Sequence, residues 1–162
     1  MSNGVVETIR EAGVVGAGGA GFPTHVKAEA KADTVIANGS ECEPLLYSDQ
    51  SLMELYPKEI IAGLEAMMQV TGASRGIIGL KAVYTKAVAE FEKLLPKHPD
   101  ISLKLLGSFY PSGDEQSLVY ECTGRIVPEG GIPLNVGCVV DNVETLYNIH
   151  MAMRNLPVTD RT

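Results

Sequence analysis

The stretch Gly13-Val-Val-Gly-Ala-Gly-Gly-Ala-Gly-Phe-Pro-Thr-His-Val-Lys27 places five glycines within nine residues. Glycine adopts positive φ and lets the backbone pass close to a flat ligand. So dense a run loses much conformational entropy on ordering, which a ligand or tight packing has to offset. Phe22 then adds an aromatic face, Pro23 stiffens the exit, and Lys27 adds a positive charge. These residue types favour a loop for a nucleotide-type cofactor over the alternative, a mobile surface loop.

Composition narrows the class of protein. The chain has 162 residues, of which 45% are apolar, enough for one domain with a real core. Its net charge of -7 argues against binding to nucleic acid, which requires a basic face. The apolar runs are far shorter than the ~20 residues of a membrane-spanning helix, and the N-terminus lacks the pattern of a signal peptide. We therefore expect a cytoplasmic protein without a membrane span of its own.

Short apolar runs alternate with longer amphipathic segments. The runs predict four strands, at residues 34–37, 76–80, 101–106 and 138–140. The other segments predict helices at residues 5–12, 48–56, 58–70, 83–95, 112–122 and 141–154. Asn38-Gly39 indicates a turn after the first strand, and Pro57 and Pro96 indicate helix ends. The alternation predicts an α/β fold, with a parallel sheet of about four strands, helices on both faces and a preceding glycine-rich loop.

Candidate binding residues collect at the carboxyl ends of the predicted strands, where parallel sheets bind ligands. Asn38 ends the first strand, and Glu41 and Glu43 follow it. The Asn38 amide both donates and accepts hydrogen bonds, as the edge of a flavin or nucleotide ring requires. A carboxylate in this loop would hold a ribose hydroxyl or a nicotinamide amide. The alternative is a solvated acidic turn, and the residues alone leave both interpretations open.

Two predicted helix starts belong to the same edge. Ser112 and Glu115 have the spacing of a capping box, and the acidic side chains there suit a ribose better than a phosphate. The last helix opens at Asp141, which would cap it. Asn142 and Thr145 lie on its first turn, where the helix dipole and the free amides favour a phosphate. Simple capping is the alternative for both helix starts.

The sequence indicates no metal site and no catalytic side chain. The histidines have no partners at ligand or triad spacing; they are His25, His98 and His150. The cysteines show no CxxC spacing; they are Cys42, Cys122 and Cys138. Cys42 lies between two carboxylates, which disfavour a reactive thiolate. We therefore expect neither a metal ligand set nor a thiol nucleophile in this chain.

Four motifs occur in an order that is typical of one family. They are GAGGAGFPT at residues 16–24, NGSECEP at 38–44, YPSGDE at 110–115 and DNVETL at 141–146. Together they resemble the FMN- and NADH-binding 51 kDa subunit of respiratory complex I. The similarity is closer to the C subunit of Rnf-type electron-transport complexes and its soluble relatives, because of ECEP at residues 41–44 with the following Asp49, and of GRIVPEGGIP at residues 124–133. This resemblance implies a Rossmann-like domain that binds FMN and receives hydride from NADH.

The resemblance also implies roles for individual residues. By motif, the positions expected to contact FMN are Gly16, Gly18, Gly19, Lys27, Asn38, Ser40, Gly113, Asp114, Asp141, Asn142 and Thr145. Asn38 and Ser40 would hold the polar edge of the flavin ring, and the last three positions would hold its phosphate. The positions expected to contact NADH are Phe22, Glu43 and Glu115. No side chain is assigned a catalytic role, since the flavin performs the chemistry.

The family's cysteine-rich cluster-binding part has no counterpart here, so we expect residues 1–162 to form a single FMN-binding domain, as a fragment or a reduced homologue. Its partners would be NADH and subunits of a membrane-associated or soluble electron-transfer complex, which hold the iron–sulfur clusters. Such subunits could place it at the inner face of the cell membrane. The alternative function is a nucleotide-binding docking or assembly module without hydride transfer. Ala17, Asp141 and the lack of an aromatic residue after Lys27 depart from the complex I pattern and favour this alternative.

Overall fold

A four-stranded parallel sheet forms the centre of the molecule. The computed structural model describes residues 2–14, 24–40, 48–108 and 114–154. Its strands are β1 (Thr34–Gly39), β2 (Arg75–Lys81), β3 (Ile101–Leu106) and β4 (Cys138–Asn142). They lie in the order β3-β2-β1-β4, and all three neighbouring pairs are parallel. The predicted Rossmann-like α/β fold is therefore confirmed.

Seven helices are present among the described residues. They are α1 (Ser2–Glu11), α2 (Thr24–Ala28), α3 (Ser48–Leu55), α4 (Pro57–Thr71), α5 (Thr85–Leu94), α6 (Glu115–Thr123) and α7 (Val143–Met153). A short 3-10 turn over Leu95–Lys97 follows α5, and another over Pro133–Val136 precedes β4. None of the described helices has the length and apolar character needed to cross a membrane.

Alternating side chains of the strands build one core on each face of the sheet. Val35 and Ala37 of β1 belong to the larger core, to which every helix except α6 contributes. Ile36 between them faces the smaller core, where Leu118 and Val119 of α6 cover the sheet. Because successive side chains of a strand point to opposite faces, this pattern confirms that helices cover both sides.

Two predicted boundaries near β1 and α3 are wrong. Asn38 and Gly39 are the last residues of the strand and do not form a turn. A Cβ on Gly39 would lie 2.6 Å from the Met53 sulfur, so glycine serves close packing of α3 on the strand. Pro57 does not end α3, which stops at Leu55; it is the first residue of α4. Proline suits that position because its missing N–H has no helical acceptor there.

Three further helix starts differ from prediction. Val83 precedes α5 and is 59% exposed, so it is not part of an apolar helix face. The N-cap of α6 is Asp114 and not Ser112, and its carboxylate accepts a hydrogen bond from the Gln116 amide. The last helix starts at Val143, so Asp141 is a strand residue. In all three cases the local sequence pattern already suits a helix before the residue at which the helix begins.

The strand order predicts a crevice at the carboxyl ends of β1 and β4. From β1 the chain continues to β2 and β3 on one side, whereas β4 pairs with the other side of β1. In open parallel sheets such a reversal of direction separates the connecting segments and leaves room for a ligand. This edge of the sheet is therefore the expected place of a binding site.

Candidate functional site

Polar residues from β1 and β4 meet at the carboxyl edge of the sheet. Asn38 lies opposite Asn142 in the parallel register, and Ala37 lies opposite Asp141. Ser40 directly follows β1, and its backbone amide donates a 3.0 Å hydrogen bond to Oδ1 of Asn38. Two adjacent strands thus deliver an amide, a hydroxyl and a carboxylate to one place, as the sequence predicts.

The first turn of α7 starts at this same edge. Asn142 is its N-cap, and its Oδ1 accepts a 2.7 Å hydrogen bond from the backbone amide of Glu144. Its Nδ2 donates a 2.9 Å hydrogen bond to Oδ2 of Asp49, a buried residue in the first turn of α3. The predicted capping by Asp141 is therefore wrong, because the neighbouring asparagine fills that role.

Lys27 joins α2 to the end of β4. Its Nζ donates a 2.6 Å hydrogen bond to the carbonyl oxygen of Val140 and lies 3.4 Å from Oδ1 of Asp141. The lysine side chain is 25% exposed, whereas that of Asp141 is 2% exposed. The ammonium group therefore reaches from the surface to a carboxylate that has lost almost all contact with water.

Burial dominates the electrostatics of Asp141. Loss of water raises the pKa of its carboxyl from 3.8 to about 6, the ammonium of Lys27 opposes the rise, and the charge of Glu115 adds to it. The effect of Glu115 also indicates that the start of α6 lies within electrostatic range of the end of β4. Asp141 therefore exchanges its proton much closer to neutral pH than an exposed aspartate does.

We expect this shift to make unfolding pH-dependent. The folded pKa lies above the unfolded value, so the stability linked to Asp141 is fully present below pH ~4 and is lost as the pH rises to ~6. From pH 4 to pH 7, the free energy of unfolding of Asp141→Asn should rise by about 2 kcal/mol relative to that of wild type. Urea denaturation at several pH values measures this.

Asp33→Asn is the control, because its expected effect on the pH dependence of stability has the opposite sign. Hydrogen bonds from Thr34 and Arg125 lower the pKa of the Asp33 carboxyl, so its stabilising effect is lost as the pH falls. If the free energy of unfolding of Asp141→Asn followed that of wild type in parallel between pH 4 and pH 7, it would contradict the assignment of a buried carboxyl with a raised pKa.

Three buried side-chain oxygens in the described part of the chain have no hydrogen-bond partner. They are Oγ1 of Thr24, Oγ of Ser40 and Oδ2 of Asp141. Ser40 and Asp141 lie at the crevice edge, and Thr24 is on α2, one helical turn before Lys27. Buried polar atoms nearly always have partners, and exceptions call for an explanation. A bound polar ligand at this edge would supply the missing hydrogen bonds.

The structure brings together most of the predicted residues that it describes. Lys27, Asn38, Ser40, Asp141 and Asn142 surround the ends of β1 and β4. Thr145, on the first turn of α7, is fully buried. Asp114 and Glu115 are exposed at the start of α6. The other predicted site residues lie outside the described residues: Gly16, Gly18, Gly19, Phe22, Glu43 and Gly113.

Sequence reasoning missed two residues of this region. In the sequence, Asp49 only contributes to the family resemblance, and Thr24 carries no predicted role. Both stand in the first turn of a helix, and the helix of Asp49 is the next described helix after β1. A signal for Asp49 existed, because a helix that follows a parallel strand begins near the edge where that strand ends.

Among the described residues, no cluster of three His, Cys, Asp or Glu side chains suits a metal ion.

Comparison with protein families gives a match over most of the chain. The family model of the Nuo51 FMN-binding domain matches residues 9–151. The chain is 48% identical over 157 residues to the cobalamin reductase PduS of Citrobacter freundii, covering 96% of this chain and 34% of that protein. It is 36% identical over 165 residues to the C subunit of the Na(+)-translocating ferredoxin:NAD(+) oxidoreductase complex of Acetobacterium woodii, covering 99% and 37%. The chain thus spans about a third of the length of these relatives.

A solved structure shows the same fold. A chain of an NAD+-reducing NiFe hydrogenase in its H2-reduced state superposes with a TM-score of 0.83 at 27% identity. The match covers 96% of this chain and 31% of the hydrogenase chain. The Rossmann-like architecture and the order of the elements are therefore shared with part of a larger redox enzyme.

Proposed function

The chain belongs to the family of the Nuo51 FMN-binding domain, and from this premise we propose that it is an FMN-dependent NADH dehydrogenase module of an electron-transfer complex. Its relatives include a cobalamin reductase and one subunit of a ferredoxin:NAD(+) oxidoreductase. When bound, FMN supplies the ability to take up hydride from NADH and to release electrons singly to iron–sulfur centres. The protein supplies binding, orientation and electrostatics.

The unpartnered oxygens of Ser40 and Asp141 are the observation that carries this proposal. A flavin offers ring carbonyls and a ring N–H, a chain of hydroxyls and one terminal phosphate. A serine hydroxyl donates and accepts, and an ionised carboxylate only accepts, so these two groups suit a ring carbonyl and a ligand N–H or O–H. Their burial at the crevice edge fits a ligand that is mostly enclosed.

The start of α7 supports the phosphate end of the same ligand. Asn142 caps the helix by accepting a hydrogen bond from Glu144 N, and the dipole at a helix start favours an anion. Asn142 and Thr145 would hold the phosphate, and Lys27 would bring a cationic group to the same edge. One helix start provides for one phosphate, which favours FMN over FAD.

The remaining assignments concern the glycine-rich loop, the loop after β1 in the sequence and the residues at the start of α6. Gly16, Gly18 and Gly19 would lie against the flavin ring, and Gly113 and Asp114 would lie beside it. NADH would be bound by Phe22, Glu43 and Glu115, with Phe22 stacking on the adenine. These roles follow from the family motifs in the sequence.

We propose that electrons leave to iron–sulfur centres outside this chain. A cubane cluster normally needs four thiolates, and the sequence has three cysteines. Desolvation raises the pKa of Cys122 to about 12, so burial disfavours the thiolate that would bind iron. The acceptor would be in a further region or in another subunit of the complex. Through such subunits the domain would act in the cytoplasm at the inner face of the membrane.

A docking or assembly module is the second candidate function. The buried carboxylate of Asp141 favours it, because an anion one residue before the α7 N-cap opposes a phosphate. Nucleotide binding would then persist without hydride transfer. This candidate and the enzyme differ in whether NADH reduces the bound flavin.

Titration with flavins followed by NADH tests the proposal. We expect FMN to bind more tightly than riboflavin and FAD, by at least about tenfold, since only FMN presents one terminal phosphate to α7. Anaerobic NADH should then bleach the flavin absorbance. Glu43→Gln should slow the bleaching, whereas Glu90→Gln on the exposed face of α5 should not.

Two results would contradict different parts of the proposal. Tighter binding of FAD than of FMN would remove the single-phosphate site. A protein loaded with FMN that stays oxidised in excess NADH would leave the docking module as the better explanation.

A further inference from the structure

We propose that Asp49 is a positioning residue, which fixes the side-chain amide of Asn142 so that the start of α7 is prepared for the phosphate of the flavin. This inference rests on the proposed function. None of the family motifs gives Asp49 a role at the flavin. It belongs to α3 and accepts a hydrogen bond from the end of the Asn142 amide that does not cap α7.

The geometry is a chain of two hydrogen bonds. Asp49 Oδ2 accepts from Asn142 Nδ2 at 2.9 Å, and Asn142 Oδ1 accepts from the Glu144 amide at 2.7 Å. An ionised carboxylate has no donor, so it pairs only with the NH2 side of the asparagine amide. Asp49 therefore dictates which way that amide faces, and the oxygen is left to cap α7.

The reversed amide would damage the anion site. With Nδ2 towards the helix, two donors would face each other at Glu144 N, and the N-cap would be lost. The first turn would then fray, and the positive end of the α7 dipole would no longer be held in place for a phosphate. A fixed Asn142 amide thus keeps this turn preorganised.

The burial of Asp49 argues for a role beyond capping. An asparagine caps a helix without help from a second acid. Yet Asp49 is only 8% exposed, and burying a carboxylate costs free energy. Burial raises its pKa, the hydrogen bond from Asn142 opposes this, and the nearby charge of Glu144 adds to the rise. The arrangement retains an acid where a neutral residue would cost less.

An independent observation indicates that a ligand belongs at this edge. Oγ of Ser40 and Oδ2 of Asp141 are buried without partners, and Asp141 is the residue before Asn142. Ser40 Oγ can donate to a ligand oxygen, and Asp141 Oδ2 can accept from a ligand hydroxyl, so the case for a flavin at this edge does not rest on the helix N-terminus alone. Asp49 supports the side of the crevice where the terminal phosphate would lie.

Parallel titrations with FMN and riboflavin test the proposal, because riboflavin lacks only the phosphate. We expect Asp49→Ala to weaken FMN about tenfold and to change riboflavin affinity less than about twofold. Asp49→Asn keeps an acceptor for Asn142 but adds a donor that also allows the reversed amide, so it should recover only part of the FMN affinity. Asp33→Ala removes a matched aspartate at the amino end of β1 and should leave both affinities unchanged.

A second background removes the amide itself. Asn142→Ser keeps a good N-cap but offers no amide for Asp49 to orient. In that background, Asp49→Ala should no longer change the ratio of FMN to riboflavin affinity. This comparison also separates positioning from a general loss of folding, which would lower both affinities in either background.

Three outcomes overturn the inference in distinguishable ways. Equal losses for FMN and riboflavin in Asp49→Ala would show a purely structural residue. An unchanged FMN loss in the Asn142→Ser background would show that Asp49 does not act through Asn142. Equal affinity of the wild-type protein for FMN and riboflavin would instead overturn the phosphate site, and with it this part of the proposed function.

Discussion

Lys27→Met is expected to lower the free energy of unfolding by about 3 kcal/mol at pH 8, because it leaves a buried carboxylate without its cation. Lys27 Nζ lies 3.4 Å from Asp141 Oδ1 and also bonds the Val140 carbonyl at 2.6 Å. Methionine keeps much of the aliphatic length of lysine, so most packing of the stem is retained. The lost interaction is therefore mainly electrostatic.

The size of this effect should depend on pH. With Lys27 present, the pKa of Asp141 is about 6. Removing the ammonium raises that pKa further, since the cation is the main force that opposes burial. At pH 5 Asp141 is mostly protonated in both proteins, so the difference should shrink to about 1 kcal/mol, the value of a hydrogen bond. Urea denaturation at pH 5 and pH 8 measures both values.

A double variant isolates the pair. Lys27→Met with Asp141→Asn removes both charges and should recover most of the stability lost at pH 8. A Lys27→Met loss that is equal at pH 5 and pH 8, or that persists in the double variant, would contradict the electrostatic account. The pair would then contribute through packing alone.

The sequence predicted the sheet better than the ends of its elements. The apolar strand at 76–80 is buried on both faces, which leaves a strong local signal. Helix starts depend on which of several polar residues caps, and neighbours such as Ser112 and Asp114, or Asp141 and Asn142, suit the role equally by type. The choice is made by tertiary contacts, which a local pattern does not contain.

The candidate site was predictable in its location but not in its charges. Asn38 and Asn142 meet because parallel strands end at one edge, a rule that needs only the strand assignments. The pairing of Lys27 with Asp141 joins residues 114 positions apart. The bond from Asn142 to Asp49 spans 93 positions. No spacing rule reaches that far, so the buried acids became visible only in three dimensions.

These buried acids concentrate negative charge at the predicted crevice. Asp49, Asp141 and Glu144 are all less than 9% exposed. Asp141 precedes the N-cap of α7, Glu144 lies in the first turn, and Asp49 accepts a hydrogen bond from the N-cap Asn142. Lys27 is a cation that contacts one of them, Asp141. A phosphate entering here meets both the favourable dipole of α7 and this negative charge. FMN affinity should therefore depend strongly on how well each acid is paired.

The position of α7 itself depends on a glycine of the neighbouring helix. Gly63 lies in the interior of α4, and a Cβ added to it would stand 1.9 Å from the carbonyl oxygen of Leu146 in α7. It would also stand 2.6 Å from the carbonyl carbon of the same residue. Because backbone atoms are the obstacle, no rotation of a side chain can relieve the clash. The two helices have to move apart.

Gly63→Ala is accordingly expected to destabilise the protein by about 3 kcal/mol and to weaken FMN binding through displacement of α7. Helix propensity alone predicts the opposite sign, since alanine in a helix interior is favoured over glycine by about 1 kcal/mol. Gly4→Ala is the matched control, because Gly4 is an exposed helical glycine of α1 with no atom within 4 Å of an added Cβ, and it should gain up to about 1 kcal/mol. Denaturant unfolding of both variants separates the two effects, and a stabilised Gly63→Ala protein would mean that α4 and α7 do not pack this closely.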